Sequence, residues 1–174
     1  MNNAHLHLVV NHLPIIFPVV GIILLLIGIF TKSDVSKRNA YLVFILGAIA
    51  SIIAMLTGEN AEESIEHLAG ISENAINLHE ESAETFAAIS YFLGAISLFS
   101  LIANFKNWAF SKFLPFVTLV FALITMFFAS QTGNSGGEIR HSEIKNGVAA
   151  QNGNQNENTT EKTEKTPDKD EDDD

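Results

Sequence analysis

The sequence predicts an all-α polytopic membrane protein: a four-helix transmembrane bundle followed by a disordered acidic tail. Three observations lead there. Of the 174 residues, 47% are hydrophobic and 17% charged, and the charges are nearly absent from four long apolar runs. Each run approaches the ~20 residues that a helix needs to cross ~30 Å of hydrocarbon. The charges between the runs are sorted by sign, as the loops of an oriented membrane chain are.

The four spans are expected at residues 13–30, 40–56, 86–105 and 113–129. The first opens with Pro14 and also contains Pro18. Proline has no N–H to give and suits the first turn of a helix, so Pro14 reads as the helix start; the alternative is a kink that aims His12 inward. No Lys or Arg precedes Lys32, so the chain lacks the basic start of a secretory signal peptide and the first span is expected to be retained. Small residues four apart, Gly47 and Ser51, Ala50 and Ala54, Ser90 and Gly94, are what close helix packing in lipid requires.

Between spans two and three, residues 58–85 form an amphipathic outer segment. "GENAEESIEHLAG" stops at Gly70, and "SENAINLHEESAETF" restarts at Ser72 and enters span three without a breaker. Span three is thus expected to be a helix of about thirty residues projecting beyond the bilayer. Glu73, Glu80 and Glu81 fall in its first turns, where acids favour the helix dipole.

Lys32, Lys37 and Arg38 join spans one and two, and Lys106 and Lys112 join spans three and four. The segment between spans two and three has eight Glu and no Lys or Arg. By the positive-inside bias the basic turns face the cytoplasm and both termini lie outside. The four-span domain is placed at residues 1–145 and the acidic tail at 146–174; from Gln151 the chain is too poor in large apolar residues to offset the entropy of folding.

With no cysteine, the chain has no disulfide, iron-sulfur cluster, thioether-linked haem or thiolate nucleophile. Any metal must be held by His, Glu, Asp or Met. A net charge of -10 without a basic face disfavours nucleic acid. No phosphate-binding loop, Gly-x-Ser-x-Gly elbow or Ser-x-x-Lys occurs, and Ala83 stands where a His-Glu-x-x-His motif beginning at His79 needs its second histidine. A hydrolase or transferase is not expected; the most an enzyme reading supports is a redox protein.

The chain also reads as a duplicated hairpin. "MLTGENAEESIEH" ends span two and "ASQTGNSGGEIRH" ends span four, each with Thr-Gly, a glutamate and a histidine, while His12 and His79 precede the first span of each half. Two hairpins in the same sense would be related by an axis along the membrane normal. His12 and His79 are the informative histidines, because imidazole beside an apolar run is costly without a partner. Histidines on facing helices of a bundle are how proteins hold b-type haem, each offering an axial nitrogen. The alternative is a divalent metal or a partner bound through the His- and Glu-rich outer segment, with Glu63 and His67 four apart on one helical face. A third reading is a scaffold whose histidines only hydrogen-bond.

"HLVVNHLP" resembles the His-Pro-x-x-x-His-Phe-Pro signature of the bacterial four-span membrane proteins called domain of unknown function 2231. His7 and His12 keep its histidine spacing and Pro14 its proline, with Leu8 and Leu13 in place of Pro and Phe. The family's Thr-Gly-x-x-Gly-Gly is reproduced at Thr132, Gly133, Gly136 and Gly137, and His141 falls near a tyrosine of the family pattern. The resemblance implies a four-helix protein of the bacterial inner membrane whose relatives look like b-type membrane cytochromes, some joined to Rieske modules. It favours electron transfer over metal transport. The expected site is a haem b between His12 and His79 near the outer face, with His7 and His141 as substitute ligands or hydrogen-bond partners. Thr57, Gly58, Thr132 and Gly133 are expected to end their helices there. A redox partner on that side and a homo-oligomer are both compatible with this reading.

Overall fold

The computed structural model describes residues 3–65 and 73–140. They form α1 (Asn3–Val10), α2 (Leu13–Phe30), α3 (Asp34–Ile65), α4 (Glu73–Phe105), a short 3-10 turn (Ala109–Lys112) and α5 (Leu114–Arg140). No strand occurs among the described residues. Four stretches are long and apolar enough to cross a membrane, namely His5–Phe30, Asp34–Glu59, Glu73–Phe105 and Leu114–Glu138.

Proline sets the start of the first long helix. Pro14 lies in the first turn of α2, and the carbonyl four residues back, Val10, is the last residue of α1. The two helices meet at a turn through Asn11 and His12, so Pro14 is a helix start, as its simpler reading held. Pro18 is accepted inside α2 because it is buried against α3: a Cβ on Gly47 would meet its Cδ at 3.4 Å.

The glycines expected to end helices do not. α3 continues through Gly58 to Ile65, and α5 continues through Gly133 to Arg140. A glycine inside a helix costs about 1 kcal/mol against alanine; at Gly58 a Cβ would meet His7 only at an ordinary contact distance of 3.4 Å. α4 is one helix from the outer segment through span three, as its unbroken sequence predicts.

α2 packs on α3, α3 on α4, α4 on α5 and α5 back on α2, which closes the bundle, while α1 lies on α3. The core is built from Leu25, Ala40, Tyr41, Phe44, Leu93, Leu101 and Ala122. Small residues bring backbones together, as lipid-embedded helices require. A Cβ on Gly21 would fall 2.4 Å from the Phe44 ring, and one on Gly94 would fall 2.5 Å from Ala48 Cβ. Phe30, Phe92 and Phe113 stay exposed, as a lipid-facing surface allows. Hydroxyls line the interior: Ser100 and Thr118 bond at 3.2 Å, and Thr125 donates to the Phe121 carbonyl at 2.8 Å.

Both basic turns reverse direction through a left-handed residue, Lys32 at φ 55° and Asn107 at φ 52°. Between them α3 and α4 are joined by a polar cluster. Lys37 pairs with Asp34 at 3.1 Å, Asn104 donates to the same carboxylate at 3.3 Å, and Arg38 Nε donates to the Asn104 side-chain oxygen.

Candidate functional site

The opposite end of the bundle carries the histidines. His7 sits on α1, half-buried against α3, and its Nδ1 lies 3.1 Å from Thr57 Oγ1. His79 sits on α4, half-buried against α5, and its Nδ1 lies 3.0 Å from Ser135 Oγ. The two rings are within electrostatic reach of one another. Each is therefore presented by the first helix of one hairpin and held by the second.

Each hydroxyl also has a carbonyl within reach of its proton. A hydroxyl has a single O–H. The Thr57 hydroxyl directs its proton to the carbonyl of Ile53 at 2.9 Å or of Ala54 at 3.1 Å. The Ser135 hydroxyl donates to the Thr132 carbonyl at 3.0 Å. With its proton directed to the carbonyl, each hydroxyl is an acceptor for the ring N–H. Each ring also has a backbone hydrogen-bonding neighbour in that turn, Ala54 for His7 and Thr132 for His79. With the hydroxyl protons so placed, each neutral imidazole would carry hydrogen on Nδ1 and a lone pair on Nε2, the arrangement that second-shell partners impose on metal-binding histidines.

Glycine makes room for each ring. A Cβ on Gly58 would lie 3.4 Å from His7 Cε1, and one on Gly136 would lie 3.0 Å from His79 Cε1 and 3.6 Å from its Nε2. One turn into the bundle from His79, Thr132 donates to the Ser82 carbonyl at 3.0 Å, and the two hydroxyls meet at 2.9 Å. This pair clasps α4 to α5 beside the ring. Asn11, four residues after His7, has a buried Oδ1 that meets no hydrogen-bond partner among the described residues.

The structure half-buries His79 and His7 against hydroxyls and leaves His12 exposed at the α1–α2 turn. Helix geometry explains the choice. His7 lies on α1, which packs on α3, whereas His12 falls in the turn after α1 ends at Val10. The repeat also shifts register: the sequence aligns Thr57-Gly58 with Thr132-Gly133, whereas the histidine contacts align Thr57-Gly58 with Ser135-Gly136. Sequence reasoning missed Thr57 and Ser135 as ring partners and missed Asn11 altogether; the spacing of Asn11 four residues after His7 was the available signal. His67 and His141 lie outside the described residues, as does the side chain of Glu63. Among the described residues no three His, Asp or Glu side chains gather as a metal-binding group.

Helices of this length and apolarity, closed around a hydroxyl-lined interior, define an integral membrane protein. The chain belongs to the family of predicted membrane proteins called DUF2231, whose sequence model matches residues 3–146. No curated protein and no solved structure matches it.

Proposed function

We propose that this protein carries electrons through a b-type haem held by His7 and His79 at the histidine end of the bundle. The observation that carries the reading is a pair of half-buried imidazoles, one on α1 and one on α4, each hydrogen-bonded through Nδ1 to a hydroxyl of a neighbouring helix. Two lone pairs and the bare Asn11 oxygen are all acceptors. Such a set suits an electron-poor metal centre and offers nothing to an anion.

The donor chemistry fits the group: His7 and His79 would supply nitrogen ligands, and a haem held by them would supply a one-electron centre. The chain's own residues do the rest. Thr57 and Ser135 hold the ring tautomers, while Gly58 and Gly136 let the rings lie against α3 and α5. The Ser82–Thr132 clasp fixes α4 on α5 beside His79. In the same reading the basic turns face the cytoplasm, and the histidine end meets a redox partner at the outer face of a bacterial inner membrane. The sorting of Lys and Arg supports that orientation.

A second reading follows from Asn11. His7, His79 and the Asn11 oxygen together make a two-nitrogen, one-oxygen donor set for a bare divalent metal. A pyridine haemochrome assay on the purified full chain separates the two. Haem b at about one or two equivalents per chain supports the first, whereas stoichiometric zinc or copper without haem supports the second.

A further inference from the structure

The other end of the bundle holds a guanidinium that the fold orients and leaves with open donors. Arg38, half-buried in the second turn of α3, gives its Nε–H to the Asn104 side chain, and its Cζ lies 4.2 Å above the centre of the Phe105 ring. Asn104 is buried and already anchored, since its amide donates to Asp34 at 3.3 Å. The Asp34 carboxylate is taken up by that amide and by Lys37 at 3.1 Å. The N–H groups of both Arg38 Nη atoms consequently meet no acceptor among the described residues.

A planar fork of donors matches two oxygens of a phosphate or carboxylate, and fixing Nε in advance reduces the entropy lost on binding. The surroundings select among anions. Lys32, Lys106 and Lys112 are exposed at this end, and Lys106 lies 6.0 Å from the Trp108 ring centre. Phe99, Trp108 and Phe110 form an aromatic cluster with centroids 5.3–6.0 Å apart, of the kind that sits at headgroup depth. Phe105 beneath Arg38 is exposed, as are Val35 near the start of α3 and Phe30 at the end of α2, and they offer apolar surface to acyl chains.

We propose that Arg38 binds the phosphate of an anionic phospholipid of the phosphatidylglycerol class, with the neighbouring lysines strengthening the attraction. The lipid would bridge the start of α3 and the end of α4 where Asn104 already joins them. This inference is independent of any cofactor at the histidine end.

The test is native mass spectrometry of the full chain, released from detergent supplemented with phosphatidylglycerol or with phosphatidylcholine. Wild type is expected to retain phosphatidylglycerol preferentially, and Arg38→Gln to lose about tenfold in that retention, the loss of roughly one charge-assisted contact. Arg38→Lys, with its charge but no fork, should fall between. If Arg38→Gln loses helical circular dichroism, Phe105→Leu takes its place, since it keeps the charge and removes the ring beneath it; reduced preference is again expected. Equal retention of the two lipids by wild type, or undiminished preference in a folded variant, overturns the proposal. Displacement of the lipid by inorganic phosphate at equal concentration also overturns it, by reassigning the site to a free anion.

Discussion

Gly136 and His79 pack tightly enough that an added methyl would press on the ring: a Cβ on Gly136 would lie 3.0 Å from His79 Cε1. His7 over Gly58 repeats the arrangement with a looser 3.4 Å. Replacing a helical glycine by alanine is ordinarily favourable by about 0.5–1 kcal/mol. Gly58→Ala should therefore leave pigment content unchanged and raise the thermal midpoint. In Gly136→Ala the ring must move by tenths of an ångström, and a substantial loss of bound haem is expected. Equal pigment in the two variants would show that the ring positions do not matter.

The tautomer assignment makes a separate prediction. Thr57→Val keeps the shape of the side chain and removes the oxygen that accepts from His7 Nδ1–H; Ser135→Ala does the same for His79. Loss of such second-shell partners weakens a metal site about 10–100-fold. Haem transfer to apomyoglobin should be faster in both variants and near wild type in Thr57→Ser. A Thr57→Val protein that keeps its haem as long as wild type would remove the hydroxyl from the site.

In the core, Phe44 fills the space that Gly21 leaves, with its ring 1% exposed. Gly21→Ala would bring a methyl to 2.4 Å from Phe44 Cε1. The ring is buried and must shift to admit that methyl, and overpacking of this kind costs about 1–3 kcal/mol. A lower thermal midpoint is expected, recovered in part when Phe44→Leu is added to the same chain. If the two changes add without interaction, the contact is not what limits packing between α2 and α3.

Most of the bundle was legible because the hydrocarbon thickness dictates span length. The 13–30 run coincides with α2, and "SENAINLHEESAETF" disclosed the continuous α4. Helix ends were less legible: Gly58 and Gly133 resemble stop signals, yet tertiary contacts carry the helices past them. The site was half legible. His79 could be singled out by its apolar surroundings, but choosing between His7 and His12 needed the position of α1 on α3, which a break at Asn11 and His12 sets. The hydroxyl partners were hidden because Ser135 matches Thr57 only in space; in sequence, Thr132 takes its place.

The most direct test of the central claim is the reduced-minus-oxidised absorption spectrum of the purified full chain beside His7→Ala, His79→Ala and His12→Ala. The account expects a sharp Soret band that shifts on reduction in wild type, persists in His12→Ala, and is lost or broadened to a single-imidazole form in His7→Ala and His79→Ala. A wild-type spectrum with no Soret band, or a band that depends on His12 and survives loss of His7, would contradict it.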